Sequence, residues 1–334
     1  YDGCLYSAAG TTLYLVPQTK ESVTFAPTVR TIAAGAFYKS RVLTLVVPST
    51  VRTIESGAFA GVLRLRELTV PFIGGSADDP DTDYMMYIFG GRVSKSDSLQ
   101  PDGTYSYSIG NTSCTPATLK KLTVSGTITT IPEFAFAYLT EVTEILWQGD
   151  VTRIDDYAFC RTGLEKLIVP GTVTAIGDYA FASMDALKEA TIPGSVGGNL
   201  GVAIFAGCSA LERVTFEEGV TRIPALAFFP SGSRDSETGE TNYFSALEYI
   251  SLPRSLESIG ESAFAYVGTR YIGTVGSTYS NLVFLLPADS HLKVIEKTAF
   301  YRSSVKSLVL PACFEEVGEM AFYGCENLAS ITFG

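Results

Sequence analysis

The fold this sequence predicts is an α/β repeat: a right-handed solenoid with a parallel β-sheet on its concave face and turns or short helices on its convex face. Three observations predict it. An Ala-Phe dipeptide recurs nine times between Ala36-Phe37 and Ala321-Phe322, and Ile88-Phe89 and Ile204-Phe205 are weaker copies that bring the number to eleven. Where nothing is inserted, one Phe follows another after 22 to 24 residues, as from Phe37 to Phe59 and from Phe159 to Phe181. A fixed period of that length is the signature of stacked structural repeats. Between the Phe positions lie short apolar runs that alternate and stop at proline, as in Leu164-Glu165-Lys166-Leu167-Ile168-Val169-Pro170.

The first element is a cap. Tyr1-Asp2-Gly3-Cys4-Leu5-Tyr6 and Gly10-Thr11-Thr12-Leu13-Tyr14-Leu15-Val16-Pro17 flank a Ser-Ala-Ala-Gly turn, which predicts a β-hairpin over residues 1–19 covering the apolar end of the stack. The solenoid follows over 20–334. Its strands are read at 23–25, 42–47, 65–70, 119–124, 142–147, 164–169, 187–192, 211–216, 247–252, 282–286, 305–310 and 328–333. In each, the period of two expected of a half-buried strand is visible: Leu167 and Val169 point one way, Lys166 and Ile168 the other. Pro170 ends the run because proline cannot donate to a ladder. One coil cannot bury its own Leu, Val, Ile and Phe, so the coils must stack at ~4.8 Å per strand. The Phe of each copy then anchors the turn or short helix on the convex side, with the small Ala letting the coil close.

Composition narrows the function. With 46% hydrophobic and 18% charged residues the chain has ample apolar material for a long repeated core. No apolar run approaches the ~20 residues that cross a bilayer, so membrane insertion is not expected. A net charge of -11, from 35 acidic and 24 basic residues, argues against nucleic acid as a partner. Tyr1 is not a start methionine, so the absence of a leader here says nothing about secretion.

The order Val-x-x-Ile, Ala-Phe, Leu-x-x-Leu-x-Val-Pro resembles the BspA-type leucine-rich repeats of bacterial surface proteins and some protozoan ones. The resemblance covers about residues 20 to 334, and the opening hairpin is similar to the one that often precedes such arrays. Cys208 and Cys325 stand where the family motif often carries cysteine, three residues after Phe205 and Phe322; most copies here lack it. The resemblance implies a secreted or cell-surface protein used in adhesion or in host and matrix contact, and it brings no catalytic residues.

Nothing in the residues points to chemistry. Six cysteines occur without a Cys-x-x-Cys pair, and their repeat positions read as structural thiols rather than disulfides or zinc ligands. His291 is the one histidine and falls in a loop; without it or a paired-carboxylate cleft no enzyme is expected, and no cofactor. The run Asp78-Asp79-Pro80-Asp81-Thr82-Asp83 matches the first ligands of a calcium loop, but Tyr84 and Gly90 stand where such a loop needs Gly and Glu. A solvated acidic loop is the expectation.

Two features exceed what folding requires. The outward row of the sheet runs Thr44, Glu67, Lys121, Glu144, Lys166, Glu189, Arg213, Tyr249, Val283, Ser307, Ser330, alternating in sign from Glu67 to Arg213 and uncharged beyond; Leu285 lies one pleat onward. Insertions fall at about 72–86, 92–118, 229–245 and 266–280. The last three share one corner of the coil and carry Tyr105, Tyr107, Tyr243, Tyr266, Tyr271 and Tyr279 among Gly, Ser and Thr, a composition that gives contact area at small ordering cost. The candidate binding residues are therefore Tyr243, Tyr249, Tyr266, Tyr271, Tyr279, Val283 and Leu285. They are read as contacting an extracellular protein or glycan, with a passive spacer as the alternative function.

Overall fold

The computed structural model describes residues 1–99, 105–234, 241–272, 276–279 and 282–334. It divides into two compact units, Tyr1–Asp150 and Val151–Gly334. Both are built from many short strands, most of them parallel.

In the first unit, Leu5–Tyr6 and Thr12–Leu15 form an antiparallel hairpin, and Thr12–Leu15 then pairs in parallel with Thr31–Ile32, which pairs with Thr53–Ile54. A second parallel sheet runs through Thr44–Val46, Glu67–Val70, Lys121–Thr127 and Glu144–Gln148. The strand expected at 23–25 is not formed. The Arg41 and Leu43 N–H groups donate to the Lys20 and Glu21 carbonyls instead, and Val23–Phe25 is irregular.

In the second unit, Lys166–Ile168, Glu189–Ile192, Arg213–Phe216, Tyr249–Ser251 and Val283–Leu285 make one five-stranded parallel sheet. Ser307–Leu310 and Ser330–Phe333 form a separate parallel pair. A second row of two-residue strands, Arg222–Ile223, Ser258–Ile259, Val294–Ile295 and Glu316–Val317, runs through the same coils. Alternation explains the sheet's two sides: Leu167, Ala190, Val214, Ile250 and Leu308 are buried, while the residues flanking them face outward.

Opposite the sheet the Ala-Phe segments are turns, and they stack by hydrogen bonds of their own. The N–H of Phe159, Phe181, Phe205, Phe228, Phe264 and Phe300 each donates to the carbonyl of the residue before the next Phe, at 2.7 to 3.0 Å. The rings stack in register, their centroids 5.2 to 5.7 Å apart along the column. In ten of the eleven copies the residue just before the Ala-Phe dipeptide is left-handed, whether it is Gly35 and Gly57 or Phe134, Tyr157, Tyr179, Ala203, Leu226, Ser262, Thr298 and Met320. That conformation costs a non-glycine residue roughly 1–2 kcal/mol, a cost the buried Phe and the shared hydrogen bonds offset. A second left-handed residue stands two places after most of the Phe, as Arg161, Ser183, Gly207, Tyr266 and Arg302, and its N–H also donates to the next copy. After Phe228 that place is held by Pro230, which has no N–H to give.

Candidate functional site

The outward row of the sheet assembles by register. In the first unit Thr44, Glu67, Lys121 and Glu144 are successive partners, and in the second Lys166, Glu189, Arg213, Tyr249 and Val283 are. Lys121 Nζ lies 3.0 Å from Glu144 Oε1 and Lys166 Nζ 3.1 Å from Glu189 Oε2. Exposed pairs of this kind contribute ~0–1 kcal/mol each, so the ladder mainly avoids like charges side by side.

Beyond Glu189 the row changes. The Arg213 guanidinium sits over the Tyr249 ring at 5.6 Å, and Tyr249 is followed by Val283 on the next strand, with Leu285 beside Ser251 one pleat along. Val283 and Leu285 are each 45% exposed. The structure thus brings Tyr249, Val283 and Leu285 together on one face, next to an arginine, with Tyr249 half-buried and Val283 and Leu285 exposed.

The three insertions that share a corner are not loops. The one at 92–118 carries the antiparallel hairpin Arg92–Leu99 with Tyr105–Gly110. The two in the second unit pair with each other: Gly232–Arg234, Thr241–Phe244, Thr269–Ile272 and Gly276–Tyr279 form one four-stranded antiparallel sheet, in which Tyr243 stands opposite Tyr271. At its base Tyr243 stacks on Tyr266 at 4.2 Å, and Phe229 meets both edge-on at 5.6 and 6.0 Å. Tyr266 contacts Tyr301, which stacks on Tyr323 at 5.4 Å. Tyr243 and Tyr266 therefore spend ring faces on each other and hold the small sheet to the turn side. Tyr271 and Tyr279 lie on its strands, as Tyr105 and Tyr107 lie on the first hairpin; the expectation for these four side chains falls outside the described residues. Sequence reasoning missed Phe229, Tyr301 and Tyr323, although each directly follows the Phe of an Ala-Phe pair.

Several groups capable of chemistry are taken up by the structure. Burial pushes the Cys160 thiol up to about 11 and the Cys208 thiol up to about 12, which leaves little thiolate at neutral pH. Cys208 Sγ donates to the Phe181 carbonyl and Cys325 Sγ to that of Phe300, 3.1 and 2.8 Å away. Cys4 is also buried, but Cys313 is exposed at the chain surface, and all six cysteines are free. Asp79 caps the short helix Pro80–Thr82 by accepting from the Asp81 N–H. Among the described residues no group of three or more His, Cys, Asp or Glu could hold a metal ion, and no helix is long and apolar enough to cross a membrane. The insertion at 72–86 borders a cleft of about 330 Å³ lined by Phe72, Ile73, Asp83, Ile128 and Pro132.

A family model for the BspA type leucine rich repeat region matches in six copies, over residues 18–73, 107–233, 238–282 and 286–334. Among solved structures the chain is similar to a leucine-rich repeat protein from Bacteroides ovatus, at 17% identity and a TM-score of 0.53, over 99% of this chain and 68% of that one. It also matches a leucine-rich repeat protein from Eubacterium ventriosum, at 20% identity and a TM-score of 0.41, over 84% of this chain and 64% of the other. A leucine rich cell surface protein from Faecalibacterium prausnitzii matches at 17% identity and a TM-score of 0.33, over 100% and 94% of the two chains. At such identities the first likeness speaks to the fold, and the TM-scores of the other two are too low to add to it. No curated protein matches the chain.

Proposed function

For a chain that belongs to the BspA type leucine-rich-repeat family, we propose the role of a non-catalytic interaction module in a secreted or cell-surface protein. It engages a protein or glycan through the outward face of the sheet. In this reading the coil is right-handed, the hand that strand crossovers take, and the sheet lines its concave side. One observation carries the proposal: half-buried Tyr249 and exposed Val283 and Leu285 form an aromatic and aliphatic patch on a sheet whose other outward residues are mostly charged or hydroxylated. Apolar side chains presented in register on a rigid sheet stabilise nothing inside the coil, and aromatic residues at the centre of an interface carry much of the binding energy. The raised thiol pKa values of Cys160 and Cys208 and the use of Asp79 as a helix cap are in keeping with that reading.

The test is a panel of extracellular-matrix proteins and a glycan array probed with the chain, followed by calorimetry on variants. A ligand is expected whose affinity falls by more than ~2 kcal/mol in Tyr249→Ala, the range of a central interface residue. No ligand across the panel would favour the passive spacer, and a ligand indifferent to Tyr249→Ala and Val283→Ser would move the site elsewhere.

A further inference from the structure

The outward row of the second unit ends its charge ladder on an odd cation. Lys166 pairs with Glu189 at 3.1 Å, which leaves Arg213, the next partner in register, without an acid of its own on the following strand. Among the described residues the Arg213 side chain makes no hydrogen bond or ion pair; its one contact of note is the cation–π approach to Tyr249 at 5.6 Å. What sets it apart from other exposed arginines of this chain of net charge -11 is its place in the sheet register, with all its N–H donors available one strand from Tyr249 and two from Val283. The Tyr249 ring holds the guanidinium in place, so little rotamer freedom is lost when the fork meets a carboxylate, the planar anion it matches with two parallel hydrogen bonds.

Beyond Tyr249 the surface is aliphatic. Val283 lies two strands from Arg213, about 10 Å at the usual strand spacing, and Leu285 lies about 7 Å further along its own strand. A partner that satisfies both must present a carboxylate and a branched aliphatic group about 10 Å apart. That distance is three residues of extended chain or two turns of helix. A sugar fits less well. The Tyr249 face toward Arg213 is occupied by the guanidinium, and Val283 and Leu285 offer no flat ring on which a pyranose can stack.

Resting on the proposed role of this face, we infer that it receives an acidic segment of a partner protein. Arg213 acts as receptor for an Asp or Glu side chain, and Val283 with Leu285 seats a Leu, Ile or Val that follows it.

A phage-displayed library of random 12-residue peptides, selected on the full chain, tests this. The expected outcome is enrichment of peptides carrying Asp or Glu three residues from a branched aliphatic residue in an extended peptide, or seven residues from it in a helical one. Binding of a selected peptide should weaken at least about tenfold in Arg213→Gln, as for loss of a charge-assisted pair. It should weaken comparably in Val283→Ser with Leu285→Ser, and less than about twofold in Lys166→Gln, where an exposed pair is lost. Because Arg213 is exposed, Arg213→Gln should unfold at the parent's denaturant midpoint, which separates binding from folding. The inference is overturned if no peptide is enriched, if the enriched peptides lack carboxylates, if Arg213→Gln binds like the parent, or if acidic glycans use Arg213 instead. A ligand from the matrix panel that needs Tyr249 but not Arg213 would remove this inference and leave the proposed function standing.

Discussion

The two sides of the coil in the second unit obey different rules. On the turn side the backbone repeats itself: the same Phe N–H donates to the same carbonyl through six successive copies, and the rings stack at nearly constant spacing. The residues that take the left-handed conformation there vary from Tyr to Ser to Met. On the strand side the buried alternates stay apolar, while the outward positions run from Lys166 through Arg213 to Val283 with no constraint but register. Identity is therefore held by the turn column and the inward strand residues, and outward strand residues are where this chain differs from a generic stack.

Three measurements break or sharpen that contrast. The largest effect is expected on the turn side: Phe264→Ala removes a fully buried ring that stacks between Phe228 and Phe300 and meets Phe284 edge-on. Loss of the ring and the cavity left behind should cost about 3–5 kcal/mol in urea unfolding. Ile168→Ser, at an outward position 63% exposed, should change stability by less than about 0.5 kcal/mol. Equal costs would erase the distinction between the two sides.

A smaller effect, of opposite sign, is expected from Ser183→Gly. Ser183 holds φ at 54° where other copies carry Gly61, Gly207 and Gly324, so relief of the left-handed cost should exceed the added chain entropy and raise stability by up to about 1 kcal/mol. A lower unfolding midpoint in the glycine variant would contradict the strain assigned to the second left-handed place. The smallest effect belongs to the charge ladder. Lys166→Gln should cost under about 1 kcal/mol in dilute buffer and nothing measurable in 1 M salt, where charges a few ångströms apart at the surface are screened.

Much of the outward row was legible because two simple periods fix it. The alternation of Lys166, Leu167 and Ile168 sets which side chains face out, and the spacing of the Ala-Phe copies sets the register that makes Glu189 and Arg213 neighbours. Pairing between distant insertions was not legible. The backbones at Tyr243 and Tyr271 are register partners on strands separated by a whole coil, and local periodicity in segments rich in Ser, Thr and Gly carries no instruction to pair them. The tyrosines at 243 and 266 consequently turned from open contacts into a stacked pair. Nor does residue type announce the left-handed turns, because Phe134, Tyr157 and Leu226 adopt them only under the pull of the stacked Phe and the shared carbonyls. The row's cation at Arg213 was visible as a charge, but its lack of a partner required knowing that Lys166 had already claimed Glu189.

Pro230 occupies the place where other copies donate a second bond to their neighbour, so the turn column lacks one hydrogen bond at that coil before the hairpin of Gly232–Arg234 and Thr241–Phe244 begins. Growth of chain from that point breaks nothing that the coil relies on. The position behaves as a natural graft site: a hairpin whose tip differs in length or composition can be accommodated there while the pairing of Thr241–Phe244 with Thr269–Ile272, Phe228 and its carbonyl partner in the next copy stay as they are. Variation in what the molecule meets can then accumulate at one step of one coil without asking the scaffold to refold.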